Sequence, residues 1–316
     1  MASMNDFLDC WRSDSTYIEA CTSGSTGVPK CIKLLKADMR VSAGATNDFF
    51  GITQDAVLAI PLSADYIAGK MMAVRADIAG CRLMEMPVSN NVKIDSQVDL
   101  LAIVPSQIAG LLTDKDISCK VKNILVGGGP LSVAQSEALY KSGIPSYLGY
   151  GMTETCSHVA LRRIGYDKCY KAMRGITFDI DSRGCLIINS DKYSWKRMVT
   201  NDVVDLLSST SFEWLGRHDN VVISGGLKLH PEAIEAEIRL AIPDISDFYI
   251  VGEPDEKWGS RLVMIVENPT DSLVRDLDNS GIDRRKLPKR IIGIKELPKG
   301  TNGKLRRLLP KEVEGD

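Results

Sequence analysis

Apolar positions change their spacing along this chain, and each change marks an element. Residues 15–20 read as a short strand feeding a Ser/Thr/Gly-rich stretch. Residues 31–35 continue as the next strand, which predicts a hairpin with that stretch at its tip. Over 37–50, Met39, Ala43, Thr46 and Phe50 recur at helical spacing. The run 56–60 is apolar throughout and stops at Pro61, as a buried strand does. Residues 66–75 read as a helix with Ile67, Met71 and Val74 apolar; Lys70 and Arg75 are its cations, each suited singly to a solvated face. Strands follow at 82–86 and 100–104, ending at Pro87 and Pro105, and a helix at 106–112. Residues 123–126 form a further strand that runs into Gly127-Gly128-Gly129-Pro130-Leu131. Ser132 then caps a helix to about residue 142. A strand at 144–148 precedes Gly149-Tyr150-Gly151-Met152-Thr153-Glu154-Thr155. This alternation from 56 to 148 predicts an α/β sheet with its ligand at the carboxyl ends of the strands.

Beyond Glu154 the pattern shortens. Segments 178–180 and 185–188 flank the tight turn Asp181-Ser182-Arg183-Gly184, and 198–205 and 212–215 add short strands. These predict a small antiparallel β unit appended to the sheet domain. The polar, turn-like residues 216–219 mark a boundary. After it come a strand at 221–223, a turn at Ser224-Gly225-Gly226 and a helix opened by Pro231. In that helix Ile234, Ile238 and Ala241 face inward, and Glu235 and Arg239 are spaced for an i, i+4 pair. A hairpin at 247–251 and 261–267 and a Gly-rich basic tail at 295–304 complete the chain. The expected fold is α/β: a large N-terminal sheet domain with its β unit over 1–217, then a small α+β domain over 219–316.

Composition narrows the function classes. Hydrophobic residues are 44% and charged residues 25% of 316, the balance of a globular protein large enough for two domains. A net charge of -2 gives no support for a nucleic-acid or anionic-membrane partner. Residues 1–11 lack a basic segment followed by an apolar run, and no stretch approaches the roughly 18 apolar residues of a membrane span. The eight cysteines are scattered with no C-x-x-C pair, so reduced thiols and a cytoplasmic location are expected. Three histidines exclude a His-rich metal site.

The chemistry concentrates in Thr22-Ser23-Gly24-Ser25-Thr26-Gly27-Val28-Pro29-Lys30. Hydroxyls, backbone N–H groups and one cation converge there, as a polyphosphate cradle requires. A flexible surface loop has the same composition. A P-loop NTPase is excluded, because Lys30 is not followed by Ser or Thr and the glycine spacing differs.

With four further motifs in register, the chain resembles the adenylate-forming superfamily of acyl-CoA synthetases, luciferases and adenylation domains. The four are Gly128-Gly129-Pro130-Leu131, Tyr150-Gly151-Met152-Thr153-Glu154, Thr200-Asn201-Asp202 with Gly216-Arg217-His218-Asp219, and Gly303-Lys304. The resemblance covers almost the whole chain. It implies that Thr22, Ser23, Gly24, Ser25, Thr26, Gly27 and Lys30 hold the β- and γ-phosphates of ATP. Gly128 and Gly129 let the adenine approach the backbone, and Tyr150 stacks on it beside Gly151. Thr153 binds the α-phosphate and Glu154 ligates Mg²⁺. Asp202 holds the ribose with Arg217 nearby, and Lys304 stabilises charge in the adenylation step. Singly, Asp202 and Arg217 also suit a surface ion pair, and Glu154 a helix-start carboxylate. For a second step with CoA, the likeness implies a mobile C-terminal domain hinged at Asp219, with Gly225, Gly226 and Lys228 presented to the site.

Within the superfamily the chain is similar to the o-succinylbenzoate–CoA ligases of menaquinone biosynthesis. Thr153-Glu154-Thr155-Cys156-Ser157 and the pair Gly69 and Arg75 carry that likeness. Such a substrate has two carboxylates, so a cation must hold the one that is not activated. Arg75 is the first candidate because its planar fork matches a carboxylate, and Lys70 is the second. Ser157 and His158 are placed to line the acid pocket, although His158 suits a packed core histidine as well. Three departures stand out. Only 21 residues precede the Ser/Thr/Gly loop, which implies a reduced N-terminal subdomain, with pocket walls rebuilt or supplied by a second subunit of a homo-oligomer. Tyr66 replaces a histidine at the helix start, and Asn201 replaces the glycine before Asp202; asparagine also tolerates the left-handed region. Rival readings are another aryl- or acyl-CoA ligase, a carrier-loading adenylating enzyme and a nucleotide-binding module without catalysis.

Overall fold

The computed structural model describes residues 3–22, 30–298 and 305–314; the side chains of Cys21, Thr22 and Lys30 lie outside that description. The chain divides into two compact units. The first comprises Met1–Asp179, Ile188–Met198 and Leu207–Phe212, and the second Ile180–Ile187, Val199–Leu206 and Glu213–Asp316. The division therefore interleaves the small β strands between the units, where the sequence placed all of 1–217 together.

The first unit opens with α1 (Met4–Arg12). Ser3 and Asp6 form a reciprocal cap, and Met4, Phe7 and Trp11 are buried along one face. β1 (Tyr17–Thr22) and β2 (Lys30–Leu35) pair as the expected antiparallel hairpin. Cys31 is disulfide-bonded, which corrects the expectation of eight reduced thiols. Its register partner across the hairpin is Cys21, an opposition set by pairing that scattered sequence positions do not reveal.

A parallel core follows, built of α2 (Lys36–Phe50), β3 (Val57–Ile60), α3 (Ile67–Ala79), β4 (Arg82–Glu85), β5 (Leu100–Ile103), α4 (Ile108–Leu111), α5 (Ile117–Lys120), β6 (Ile124–Val126), α6 (Val133–Lys141) and β7 (Ser146–Gly151). β8 (His158–Arg163) and β9 (Tyr170–Ala172) then continue antiparallel. The strand order is β9-β8-β7-β6-β5-β3-β4, a mixed sheet. Every residue of β5 and β6 is buried, which is why these strands read as unbroken apolar runs. Ile103, Ile124, Val126 and Leu148 of the sheet pack with Ile108, Leu111 and Leu139. Helix α3 is buried nearly all round, so Lys70 and Arg75 do not lie on a solvated face.

The next strands are β10 (Thr177–Ile180), β11 (Cys185–Asn189), β12 (Arg197–Ser208) and β13 (Ser211–Arg217). Within the second unit, β14 (Val222–Ser224) and β15 (Leu227–Leu229) form a hairpin, followed by α7 (Pro231–Ala241). β16 (Phe248–Asp255) and β17 (Gly259–Glu267) pair antiparallel. After α8 (Leu273–Asp278), β18 (Arg290–Ile294) joins β17 in parallel, and α9 (Pro310–Glu314) ends the described chain. Phe248, Ile250, Leu262 and Met264 pack against Ile234 and Ile238 of α7 on one face of this sheet. Tyr249, Val251, Val263 and Ile265 cover its other face with Leu297. Two expectations for α7 are corrected. Ala241 is exposed at the helix end. Glu235 turns inward to accept from the Ile250 N–H at 2.6 Å instead of pairing with Arg239. Arg239 instead donates to the Phe248 carbonyl at 2.9 Å.

Candidate active site

Two groups assigned from sequence, residues 23–29 of the phosphate loop and residues 299–304 with Lys304, lie outside the described residues, as do the side chains of Thr22 and Lys30. The remaining candidates fall into clusters within each unit.

Adjacent parallel strands β6 and β7 end in the two motif turns. Gly128 follows β6 with φ +85°, a left-handed conformation that favours glycine. Tyr150 lies inside β7, one element earlier than the loop read from sequence, with its ring 5.0 Å from Phe212 and 5.7 Å from Tyr170. Thr153–Thr155 form a single 3₁₀ turn. Thr155, unremarked in the sequence beyond its place in the motif, holds that turn: its hydroxyl oxygen accepts from the Met152 N–H at 2.9 Å. The same hydroxyl donates at 2.8 Å to the carbonyl of Ser157. A Cβ on Gly151 would collide with the Ser157 carbonyl and the His158 backbone, so β8 can fold back here only against glycine. Cys156 completes the reversal with φ +64°, uncommon for a side-chain-bearing residue. Glu154 stays exposed on the turn.

That reversal delivers Ser157 and His158 to Arg75. The Arg75 guanidinium is 2% exposed and donates through one terminal nitrogen to the Ser157 hydroxyl. Its Nε has no hydrogen-bond partner, and among the described residues no carboxylate is within ion-pair distance of it. Burial pulls its pKa down to about 10, with the Tyr193 hydroxyl acting in the opposite direction. The cation therefore persists at neutral pH, at a burial cost on the order of 3 kcal/mol. Ser157 Oγ lies 3.2 Å from His158 Nδ1, and His158 Nε2 lies 3.2 Å from Thr46 Oγ1. The Thr46 hydroxyl donates its single proton to the Ser42 carbonyl at 3.0 Å. It must therefore accept from His158, which fixes the neutral Nε2–H tautomer and leaves Nδ1 to accept from Ser157. Burial, and then the Arg75 charge, hold the His158 pKa well below 6.5. Asp38, at the start of α2, accepts from Ser194 N at 2.8 Å and so ties the segment carrying Tyr193 to this helix.

Lys70 does not join this cluster. Its ammonium donates to the Ala64 carbonyl and sits over the Phe7 ring, 5.4 Å from the centroid. Burial lowers its pKa. Tyr66 is 55% exposed at the N-cap of α3.

In the second unit, Asp202 is buried and accepts from Trp214 Nε1 at 3.2 Å, with Arg217 at 3.6 Å. Arg217 reaches Asp219 at 3.3 Å. The carboxylate is thus built into a polar cluster and is not a surface ion pair. Asn201 lies within β12 and is absent from the residues with positive φ, so its tolerance of the left-handed region is not used. Gly225 and Gly226 form the β14–β15 turn with φ +56° and +81°. Lys228 donates to the Arg183 carbonyl at 2.9 Å. Among the described residues no group of three His, Cys, Asp or Glu side chains is placed to hold a metal. A single exposed carboxylate such as Glu154 fits Mg²⁺, which takes one or two carboxylates together with phosphate oxygens and water.

A turn-borne Thr-Glu pair at the carboxyl ends of parallel strands, followed by a small α+β unit, is the architecture of adenylate-forming enzymes. The chain belongs to the AMP-binding enzyme family, whose model matches residues 9–181. It is 26% identical to a 2-succinylbenzoate–CoA ligase of Listeria innocua, over 97% of this chain and 72% of that protein. An acyl-CoA synthetase (AMP-forming)/AMP-acid ligase II-like protein from Dyadobacter fermentans is 30% identical, with a TM-score of 0.64 over 98% of this chain and 92% of that one. The o-succinylbenzoate CoA synthetase of Bacillus subtilis, solved with its acyl-adenylate intermediate, superposes with a TM-score of 0.79 at 22% identity, over 93% and 68% of the two chains.

Proposed function

We propose that this AMP-forming acid–CoA ligase acts on an aromatic acid bearing a second carboxylate, with o-succinylbenzoate the first candidate. The observation that carries the reading is the buried, carboxylate-free guanidinium of Arg75 beside the Thr153-Glu154 turn. A buried cation is costly unless an anion pairs with it. The substrate's spare carboxylate supplies that anion, using the unpartnered Nε. In the first step the acid carboxylate attacks the α-phosphorus of ATP and pyrophosphate leaves. For this step we assign Thr153 and Lys304 to the α-phosphate and residues 22–30 to the outer phosphates, and Glu154 would hold the Mg²⁺ that offsets their charge. Tyr150, Gly128 and Gly129 receive the adenine, and Asp202 with Arg217 the ribose. In the second step the CoA thiol attacks the acyl-adenylate and AMP leaves. For that step we assign Asp219 as the hinge and the turn at Gly225 and Gly226, with Lys228, as the thiol's approach.

Arg75→Ala tests the reading. A charge-assisted hydrogen bond is worth about 1.5–3 kcal/mol, so KM for o-succinylbenzoate should rise by at least tenfold. KM for benzoate should barely change. Equal effects on both acids would remove Arg75 from the pocket.

A further inference from the structure

Helix α2 sends two adjacent side chains to the Arg75 region. Asn47 donates through its amide nitrogen to the Arg75 carbonyl at 3.0 Å and so fixes the backbone from which that side chain springs. Thr46, fully buried, reaches the other end of Arg75 through a chain of hydrogen bonds. The guanidinium donates to the Ser157 hydroxyl, which donates in turn to His158 Nδ1 at 3.2 Å. His158 Nε2–H donates to Thr46 Oγ1 at 3.2 Å, and the Thr46 hydroxyl donates to the Ser42 carbonyl at 3.0 Å. All four bonds run the same way, from the cation to a main-chain carbonyl of α2. In a chain so oriented, each hydroxyl or ring becomes a better acceptor through the bond it donates onward. A carbonyl can only accept, so the Thr46 proton is committed to Ser42 and the direction of every earlier bond follows. Ser157 therefore offers a lone pair to Arg75, one terminal nitrogen of the fork is seated on it, and the unpartnered Nε is left for an anion.

We infer that Thr46 is a positioning residue for acid selection: through His158 and Ser157 it seats the Arg75 guanidinium and so sets the preference for an acid with a second carboxylate. The inference rests on the role proposed above for Arg75. Without the Thr46 hydroxyl, the Nε2–H of a neutral His158 has no acceptor, and the ring proton is better placed on Nδ1. Nδ1–H then donates to Ser157, whose own proton leaves the chain, and the Ser157 oxygen becomes a weaker seat for the guanidinium. A purely structural role for Thr46 makes a different prediction, because looser packing between α2 and β8 would affect every acid alike.

The test is acid-dependent pyrophosphate release by the full chain with o-succinylbenzoate and with benzoate. The variants are Thr46→Val, Thr46→Ser, Ser157→Ala, Thr46→Val/Ser157→Ala and Arg75→Ala. KM is read for each acid, or the inhibition constant for one that is bound and not turned over. Thermal midpoints report folding, and Thr46→Ala takes the place of Thr46→Val if valine is not accommodated. Thr46→Val is expected to raise KM for o-succinylbenzoate about three- to tenfold and to leave benzoate within about twofold. Thr46→Ser, which restores the hydroxyl, stays within about twofold of wild type for both acids. In the Ser157→Ala background Thr46→Val adds nothing, because the chain to Arg75 is already cut. Ring-nitrogen NMR shifts of wild-type His158 should show the Nε2–H tautomer, a readout that needs no variant. The Nδ1–H tautomer, an unchanged KM for o-succinylbenzoate in Thr46→Val, equal losses for both acids, or effects that add to those of Ser157→Ala overturn the inference alone. Equal losses for both acids in Arg75→Ala, or a wild type that does not bind o-succinylbenzoate, overturn the reading of Arg75 and the inference with it.

Discussion

The Arg75 cation survives burial because its surroundings are arranged to make only neutral demands on it. Ser157 accepts its proton donor, and His158 accepts in turn as a neutral ring locked by Thr46. A protonated His158 would place a second cation against Arg75, which is one cause of its depressed pKa. The unfolded chain protonates this histidine near its ordinary 6.5, whereas the folded chain resists protonation to a lower pH. The contribution to stability is therefore whole above pH 6.5 and is lost as pH falls below it. The slope can reach about 1.4 kcal/mol per pH unit. Urea midpoints at pH 7 and pH 5 should show a smaller acid-induced drop for His158→Gln than for wild type. Equal drops would mean that His158 already takes up its proton in the folded protein. The sequence singled out Arg75, Ser157 and His158, but not the link that Thr46 makes to them. Thr46 there is one position of a helical stripe, and the neutral ring follows only from its contact with Ser42 and Ser157.

At the scale of elements, the parallel strands were readable because burial on both faces leaves uninterrupted apolar runs at 56–60 and 124–126. The motif turns were readable because Gly, Thr and Glu cluster at strand ends. Helix α1 was missed: it is short, and its buried residues are only Met4, Phe7 and Trp11 among polar neighbours. β8 was missed because it starts immediately after the motif, with no turn signal between them except the backbone of Cys156. The Glu235–Arg307 pair was missed because its partners are 72 residues apart, whereas the local i, i+4 spacing pointed to Arg239. Gly151 carries the sharpest requirement. In Gly151→Ala the added Cβ meets backbone atoms of Ser157 and His158, which cannot swing aside as a side-chain tip can. Overpacking of this kind costs about 1–3 kcal/mol, so the thermal midpoint should fall and the Arg75 cluster should loosen with it. A fully stable Gly151→Ala would show that the β7–β8 return is not tight.

For the whole molecule, the order of five motifs along 316 residues is what made the family visible, and the family model then matched residues 9–181. The candidate site residues are divided between the two units. In the proposed reading the first contributes Tyr150, Thr153, Glu154 and Arg75, and the second Asp202 and Arg217. No described helix is long and apolar enough to cross a membrane. The central claim is that these parts activate an acid as its adenylate and then transfer it to CoA, with Arg75 selecting a second carboxylate. The direct measurement is acid-dependent pyrophosphate release from ATP with o-succinylbenzoate, benzoate and palmitate, each with and without CoA. The account predicts release with o-succinylbenzoate ahead of the two monocarboxylates, and thioester only once CoA is added. Faster release with benzoate or palmitate would keep the two-step reaction and contradict the role of Arg75. ATP binding without release for any of the three acids would contradict the account as a whole.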